Sequence, residues 1–422
     1  WALLRHKMKS DGDSMDRASQ NQSVAEDAVD YHGQIASGEE PPVSADSPVL
    51  VEQDRELVED RPVLRKRIID LALPALVEQT LMTLVSMADM IMVGRLGPWA
   101  ITSVGLSNQP MFVAMSVFMA LNVGATALVA RFVGSGEPEH ASKVAKQALM
   151  IAVIMGVVLA VIGVQFAGQI LGFMGAEDDV IIPGTEYLKV VALGLPVWAV
   201  TISLTAALRG AGDTTTPMTV NVVANLVNLV GNYLLIYGHL GLPEMGVTGA
   251  GVATTISRVV ACILILVKVL KGGKVIKINL REPLKFDSPI IRRILNVGVP
   301  AALEQAVMRS GQMTFARIVS SFGTNTYAAH QIALNIEGFS FTPGMSFQIA
   351  STTLVGQSLG AKQPKKATQI GWEAVRLGAI VGVAMGLLFF FFGSQFAHLY
   401  TDDASVTKMA VGALKIIAVS QP

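Results

Sequence analysis

The sequence is poor in charge, in cysteine and in histidine, and each shortage excludes something. Only 15% of its 422 residues are Asp, Glu, Lys or Arg, where soluble domains run near a quarter. With 51% hydrophobic residues and a mean hydropathy of +0.51, this is not the composition of an ordinary soluble enzyme; it is that of an integral membrane protein. The single cysteine, Cys262, excludes an intrachain disulfide and a cysteine metal cluster. Six histidines without paired spacing argue against a zinc site. No GxxxxGK phosphate loop occurs, so ATP is not expected as the energy source. No catalytic constellation, organic cofactor or nucleic-acid partner is expected either. The formal charge balances at 32 basic against 32 acidic residues, but residues 1–62 hold about 14 acids and 6 bases, which leaves the remainder near +8.

Residues 1–62 are polar and lack both the basic and the apolar region of a signal peptide. They read as a disordered acidic tail. The chain begins at Trp1, which reads as a fragment edge, with Met8 or Met15 as candidate initiators. From Arg65 onward apolar stretches of spanning length alternate with short polar connections. The expected spans are 68–93, 100–133, 147–171, 183–208, 217–238, 246–270, 291–320, 327–358, 370–398 and 406 to the end. Gly210, Gly212, Asp213 and Pro217 read as helix stop, turn, N-cap and restart. One side of these spans carries Arg65-Lys66-Arg67, the connections 131–146 and 268–293, and Lys362, Lys365 and Lys366. That is about 18 basic residues against about 3 opposite, which places the N-terminus in the cytoplasm.

The chain repeats itself at an offset of 226 residues. Pro74, Glu78, Gln79 and Met82 align with Pro300, Glu304, Gln305 and Met308, and Gly134, Pro138 and Ala141 with Gly360, Pro364 and Ala367. Six segments separate the copies, so both keep the same membrane orientation. The expected fold is an all-α membrane protein of two parallel-repeat six-helix bundles with a substrate cavity between them. The expected domains are the tail 1–62, a first lobe 63–285 and an incomplete second lobe 286–422. The second copy stops at Pro422, so repeat logic expects twelve helices with about ten present; a natural ten-segment protein is the alternative.

Ionisable side chains at membrane depth are functional candidates. Asp89 lies deep in the first span, and Glu78, Met82 and Asp89 fall within about 40° on a helix. Asp89 reads as a carboxylate that binds and releases a proton or Na⁺, against the plainer reading of a buried helix-helix bond. Asn221, Asn225, Asn228 and Asn232 are spaced 4, 3 and 4, which puts four amides within about 60° on the fifth span. Such a stripe lines a wet cavity, offers carbonyl oxygens to Na⁺, or bonds helix to helix. Thr254 and Thr255 on the sixth span are candidate further oxygen ligands, a weak signal by themselves. In the second copy Asp89 aligns with Phe315, so the ion site is not duplicated. Arg309, Gln331 and Asn335 are cavity candidates with Met82, Asn221 and Asn225. Pro74, Glu78, Pro300 and Glu304, repeated in both halves, read as structural or gating residues.

At this point residues 65–422 resemble the multidrug and toxic compound extrusion (MATE) family. The resemblance rests on Asp89 followed by Val93-Gly94-Arg95-Leu96-Gly97, Leu208-Arg209-Gly210-Ala211-Gly212-Asp213 with Pro217, Asn228 with Asn232-Tyr233-Leu234-Leu235-Ile236-Tyr237-Gly238, Gly246-Val247 with Gly249-Ala250, and Ala329-His330-Gln331-Ile332. It implies a twelve-helix, two-lobe antiporter that exports organic, often cationic amphipathic compounds in exchange for H⁺ or Na⁺; a monomer in the plasma membrane is expected, bacterial because no organellar signal is seen. Asp89 then matches the first-helix carboxylate of the first-lobe cation site, Asn228 and Asn232 its fifth-helix partners and Thr254 the sixth-helix hydroxyl; if Na⁺ is the coupling ion, Asp89, Asn228 and Asn232 hold it. Some members carry Asp where this chain has Asn232, which makes this site less negative. The seventh-helix Glu of some members falls at Met308, so Glu304 does not take that role. The rivals are a lipid-linked oligosaccharide flippase, which needs a strongly cationic cavity, and a non-transporting receptor or scaffold.

Overall fold

The computed structural model describes residues 60–176, 178–271, 285–322, 324–398 and 404–421. The acidic tail therefore lies outside the described residues up to position 59, and the last two residues assigned to it already belong to the first helix. Among the described residues there are eleven α-helices and no strand. They are α1 (Arg61–Gly94), α2 (Pro98–Gly134), α3 (Pro138–Phe173), α4 (Asp178–Leu193), α5 (Leu195–Gly210), α6 (Thr215–Tyr237), α7 (Gly246–Leu270), α8 (Ser288–Ser320), α9 (Thr324–Gly360), α10 (Pro364–His398) and α11 (Ala404–Ser420). Proline opens several of them at the first helical positions, where its missing N–H has no intrahelical partner to lose. Asp213 acts near the start of α6 as expected: its Oδ1 accepts from the Thr216 amide at 2.9 Å, after a turn at Gly212 with φ of +90°.

Six helices are individually long and apolar enough to cross a membrane, and α4 with α5 make a seventh span bent by 47°. The 17-residue α11 falls short in length, and α8 and α9 in apolarity. Large apolar side chains such as Val161, Phe166, Ile263 and Phe391 face outward, the reverse of a soluble surface. This is a multi-pass membrane protein.

The fourth span, expected as one helix over 183–208, is broken at Gly194. Pro196 donates no N–H, and its ring clashes with the carbonyl one turn back. The freed carbonyls turn to α7. Thr255 Oγ1 donates to Val190 O at 3.0 Å, and Arg258 Nη1 donates to Val191 O at 3.1 Å. The Arg258 guanidinium also lies 5.0 Å from the Trp198 ring centroid. Small residues on α3 make room for this bend. Ala152, Gly156, Ala160, Gly163 and Ala167 form its buried face, and a Cβ on Gly156 would come within 2.9 Å of Pro196 Cα.

The repeat is visible in the helix bounds. Adding 226 to the ends of α1 to α4 returns those of α8 to α11 within one residue. The turn before α3 holds Gly136 at φ +75°; its counterpart before α10 is Lys362 at φ +59°, a left-handed conformation that strains a side chain.

The two copies touch through backbone. A Cβ on Gly124 would overlap the carbonyl oxygen of Ile294, and one on Gly298 that of Ala120, so α2 and α8 cross with nothing between them. Where α2 crosses α9, Gly134 meets the Gln357 carbonyl and Gly360 that of Arg131. These crossings predict opposite effects from two residues in one turn. Gly360→Ala should lower stability by about 2 kcal/mol through overpacking, and Lys362→Gly should raise it by about 1 kcal/mol by relieving the left-handed strain. Thermal unfolding of the purified protein in detergent reads both signs.

Candidate functional site

The fifth-span asparagines face α1, as the 4-3-4 spacing requires of a stripe that avoids lipid. Asn232 is buried, and its Nδ2 donates to Asp89 Oδ1 at 2.6 Å. Asn228, one turn earlier, places its amide between Asp89 and Thr254. One end of that amide stands 3.0 Å from Asp89 Oδ2 and 3.2 Å from Oδ1, and favours nitrogen there as a donor to an ionised carboxylate. The other end stands 3.3 Å from Thr254 Oγ1 on α7, which itself donates to Ala250 O at 2.9 Å. Asn232 Oδ1 is buried with no hydrogen-bond partner among the described residues. Asp89, Asn228, Asn232 and Thr254 are thus brought together from three helices.

Amide N–H groups meet the oxygens of Asp89, from Asn232 and, in its favoured orientation, from Asn228. What the arrangement does well is hold one carboxylate in either protonation state. Ionised, Asp89 accepts from Asn232 and Asn228. Protonated, it donates to the Asn228 oxygen, which turns the Asn228 nitrogen toward Thr254.

A second polar station lies about three turns away on the same seam. Glu78 is 2% exposed, and its Oε1 accepts from Arg209 Nη2 at 2.7 Å and from Asn221 Nδ2 at 2.5 Å. Asn221, expected as a cavity residue, bonds a buried ion pair here. Glu78 Oε2, Arg209 Nε and Asn225 Nδ2 are buried without a partner among the described residues. Met82 is 43% exposed.

This station adjoins the join between the copies. Thr353 Oγ1 of α9 donates to the Arg209 carbonyl at 2.8 Å, and Gln357 Nε2 to that of Gly210 at 3.2 Å. Nearby, Leu64, Ile68 and Ala72 of α1 pack with Ala350, Leu354, Ile370 and Ala374. Arg65 forms an ion pair with the buried Glu373 of α10, which Arg376 also reaches at 3.3 Å. All of these lie toward the end of the helices that carries the basic clusters. That end is closed.

The second copy does not reproduce the station. Glu304 is exposed among the described residues. Pro74 and Pro300 both sit inside unbroken helices. Gln331 and Asn335 are exposed on α9, joined by Asn335 Nδ2 to Gln331 O at 2.9 Å. The Arg309 side chain lies outside the described residues. Phe315, the counterpart of Asp89, packs edge-on against His330 at 5.4 Å. Sequence reasoning missed Arg258 and Glu373. Arg258 is a lone charge inside an apolar stretch, a signal that was available; Glu373 sits near Arg376 and Lys366 and gave none. Arg209 was visible only as part of a motif, and its pairing with Glu78 spans 131 residues.

Residues 74–234 and 300–422 match the MatE family. A probable multidrug resistance protein NorM from Thermotoga maritima is 34% identical over 366 residues, covering 86% of this chain and 78% of the relative. A solved structure described as MATE in the bent conformation superposes with a TM-score of 0.77 at 27% identity, covering 86% of this chain and 81% of that one. A MOP superfamily transporter from Pyrococcus furiosus, described as having a binding pocket of reverse polarity that suggests a different function, superposes with a TM-score of 0.78 at 26% identity, covering 85% of this chain and 80% of that one.

The buried pair gives a prediction. Glu78→Gln and Arg209→Gln should each cost about 3 kcal/mol by stranding the other charge. The double variant should cost clearly less than their sum, and thermal unfolding of all four proteins measures that difference.

Proposed function

This chain belongs to the MatE family, and we propose that it is a proton-coupled antiporter that exports organic cations across the bacterial plasma membrane. Its class is that of a multidrug efflux transporter. The observation that carries the coupling reading is the Asn228 amide, which can serve either protonation state of Asp89 by a single turn about its own axis. A proton gained there removes a charge that an organic cation would otherwise meet. Proton and substrate then favour different lobe arrangements, and each displaces the other.

The bias of Lys and Arg supports a cytoplasmic N-terminus and makes the closed basic end the cytoplasmic one. On that orientation the conformation described above is sealed on the side where substrate is collected. The exposed Met82 and Met87 of α1 suit a wall that accepts varied apolar bodies. A carboxylate, rather than a cluster of cations, is the charge built into the Asp89 site, which favours organic cations over a pyrophosphate-linked lipid.

In proteoliposomes an imposed proton gradient should drive uptake or release of a fluorescent organic cation, and an imposed Na⁺ gradient alone should not. Asp89→Asn should abolish the gradient-driven component. Asn228→Ala should slow it about tenfold, the worth of one hydrogen bond to a charged group. Transport driven by Na⁺ alone, or proton-driven transport that survives Asp89→Asn, would overturn the coupling assignment and leave the exporter class standing.

A further inference from the structure

The repeat places Gln147 of α3 and Glu373 of α10 at the same address, 226 positions apart. Both are buried, at 5% and 2% exposure, and both reach across the join to the other copy. What they grip differs. Gln147 Nε2 donates to the Lys285 carbonyl at 2.7 Å, and its Oε1 accepts from the Asp287 amide at 3.2 Å. Asp287 is the N-cap of α8, its Oδ1 accepting from Ile290 N at 3.1 Å. One uncharged side chain thus holds the backbone at the root of α8, with both ends of its amide satisfied. Glu373 instead holds a side chain. It pairs with Arg65 near the root of α1, and with Arg376 of its own helix.

The apolar contacts at the two roots are alike, so the polar ones distinguish them. Ile290 and Ile294 of α8 pack with the core of the first copy, and Leu64 and Ile68 of α1 pack with residues of the second. At Gln147 the gripped backbone is also the end of the connection that carries the chain from α7 to α8. A helix held by its backbone at the root can swing about that point and keep both bonds. At Glu373 the contact is tip to tip, and it is lost as soon as α1 and α10 separate. Arg65 and Arg376 are 49% and 52% exposed. Their guanidinium groups already meet solvent, so parting leaves neither charge stranded, and water reaches the carboxylate when the helices move.

We propose that the Arg65–Glu373 pair is the releasable latch of the basic end and that the Gln147 clamp is its fixed hinge. The lobes then part between α1 and α10 and turn about the root of α8. This rests on the reading of the chain as a transporter whose lobes exchange two arrangements, but not on Asp89 or on which ion couples. Arg65 and Glu373 are positioning residues that touch neither the coupling site nor the exported compound.

The test uses the whole chain in nanodiscs, with Cys262→Ser and spin labels on exposed positions at the basic end. Val63→Cys with Thr368→Cys spans the latch, and Lys143→Cys with Arg292→Cys spans the hinge. Distances are measured by electron paramagnetic resonance without substrate or ion gradient, so they are read whether or not a dye is transported in proteoliposomes. Glu373→Gln and Arg65→Gln should each raise the long-distance population across the latch about tenfold, the worth of one hydrogen bond to a charged group, and leave the hinge distance unchanged. Arg65→Lys, which keeps the charge, should stay near wild type. Gln147→Leu should lower the midpoint of thermal unfolding and leave the latch distance as in wild type. An unchanged hinge distance in Glu373→Gln also shows that the variant is folded. The proposal is overturned if Glu373→Gln lengthens neither distance, if it lengthens both, or if Gln147→Leu opens the latch as far as Glu373→Gln does.

Discussion

A polar group inside a hydrocarbon layer has no water to turn to, and this single constraint organises the molecule. Asp89 is met by the amides of Asn228 and Asn232, Glu78 by Arg209 and Asn221, and the carbonyls freed at Gly194 by Thr255 and Arg258. Each solution draws its donors from a different helix. The polar groups therefore fix how α1, α5, α6 and α7 are rotated about their axes, which the apolar side chains alone leave loosely defined. Packing then follows from size, with alanine and glycine wherever helices must approach closely.

The join between the lobes rests on a different balance. Glycine against carbonyl at four places brings backbones into contact, and such contacts are either made in full or lost. The ion pair of Arg65 with the buried Glu373 adds a directional element at the same end.

Much of this was legible in the sequence. The all-helical membrane class, the repeat at 226 residues and the asparagine stripe follow from composition and spacing, which local periodicity records; that the stripe meets Asp89 was implied by the family resemblance. What escaped was non-local. The break at Gly194 depends on Pro196, but a proline in a spanning helix is often tolerated, as at Pro74 and Pro110; what decides is whether another helix takes up the freed carbonyls, here through Arg258. Glu78 looks like any other charge near a helix end along the chain, and its burial depends on a guanidinium 131 residues away. The Arg65 and Glu373 pair joins residues 308 positions apart, beyond the reach of any spacing rule.

The matching helix bounds carry one more consequence. Two copies of one packing arrangement have kept their lengths and turns while placing Asp89 in one and Phe315 in the other. Chain geometry and chemistry have therefore been inherited separately after a duplication. The first copy holds the charge that can be titrated, and the second, at the same address, holds an aromatic ring. An ancestor assembled from two identical halves would have had no such division of labour. The asymmetry between the lobes is a history written in side chains on a scaffold that did not change.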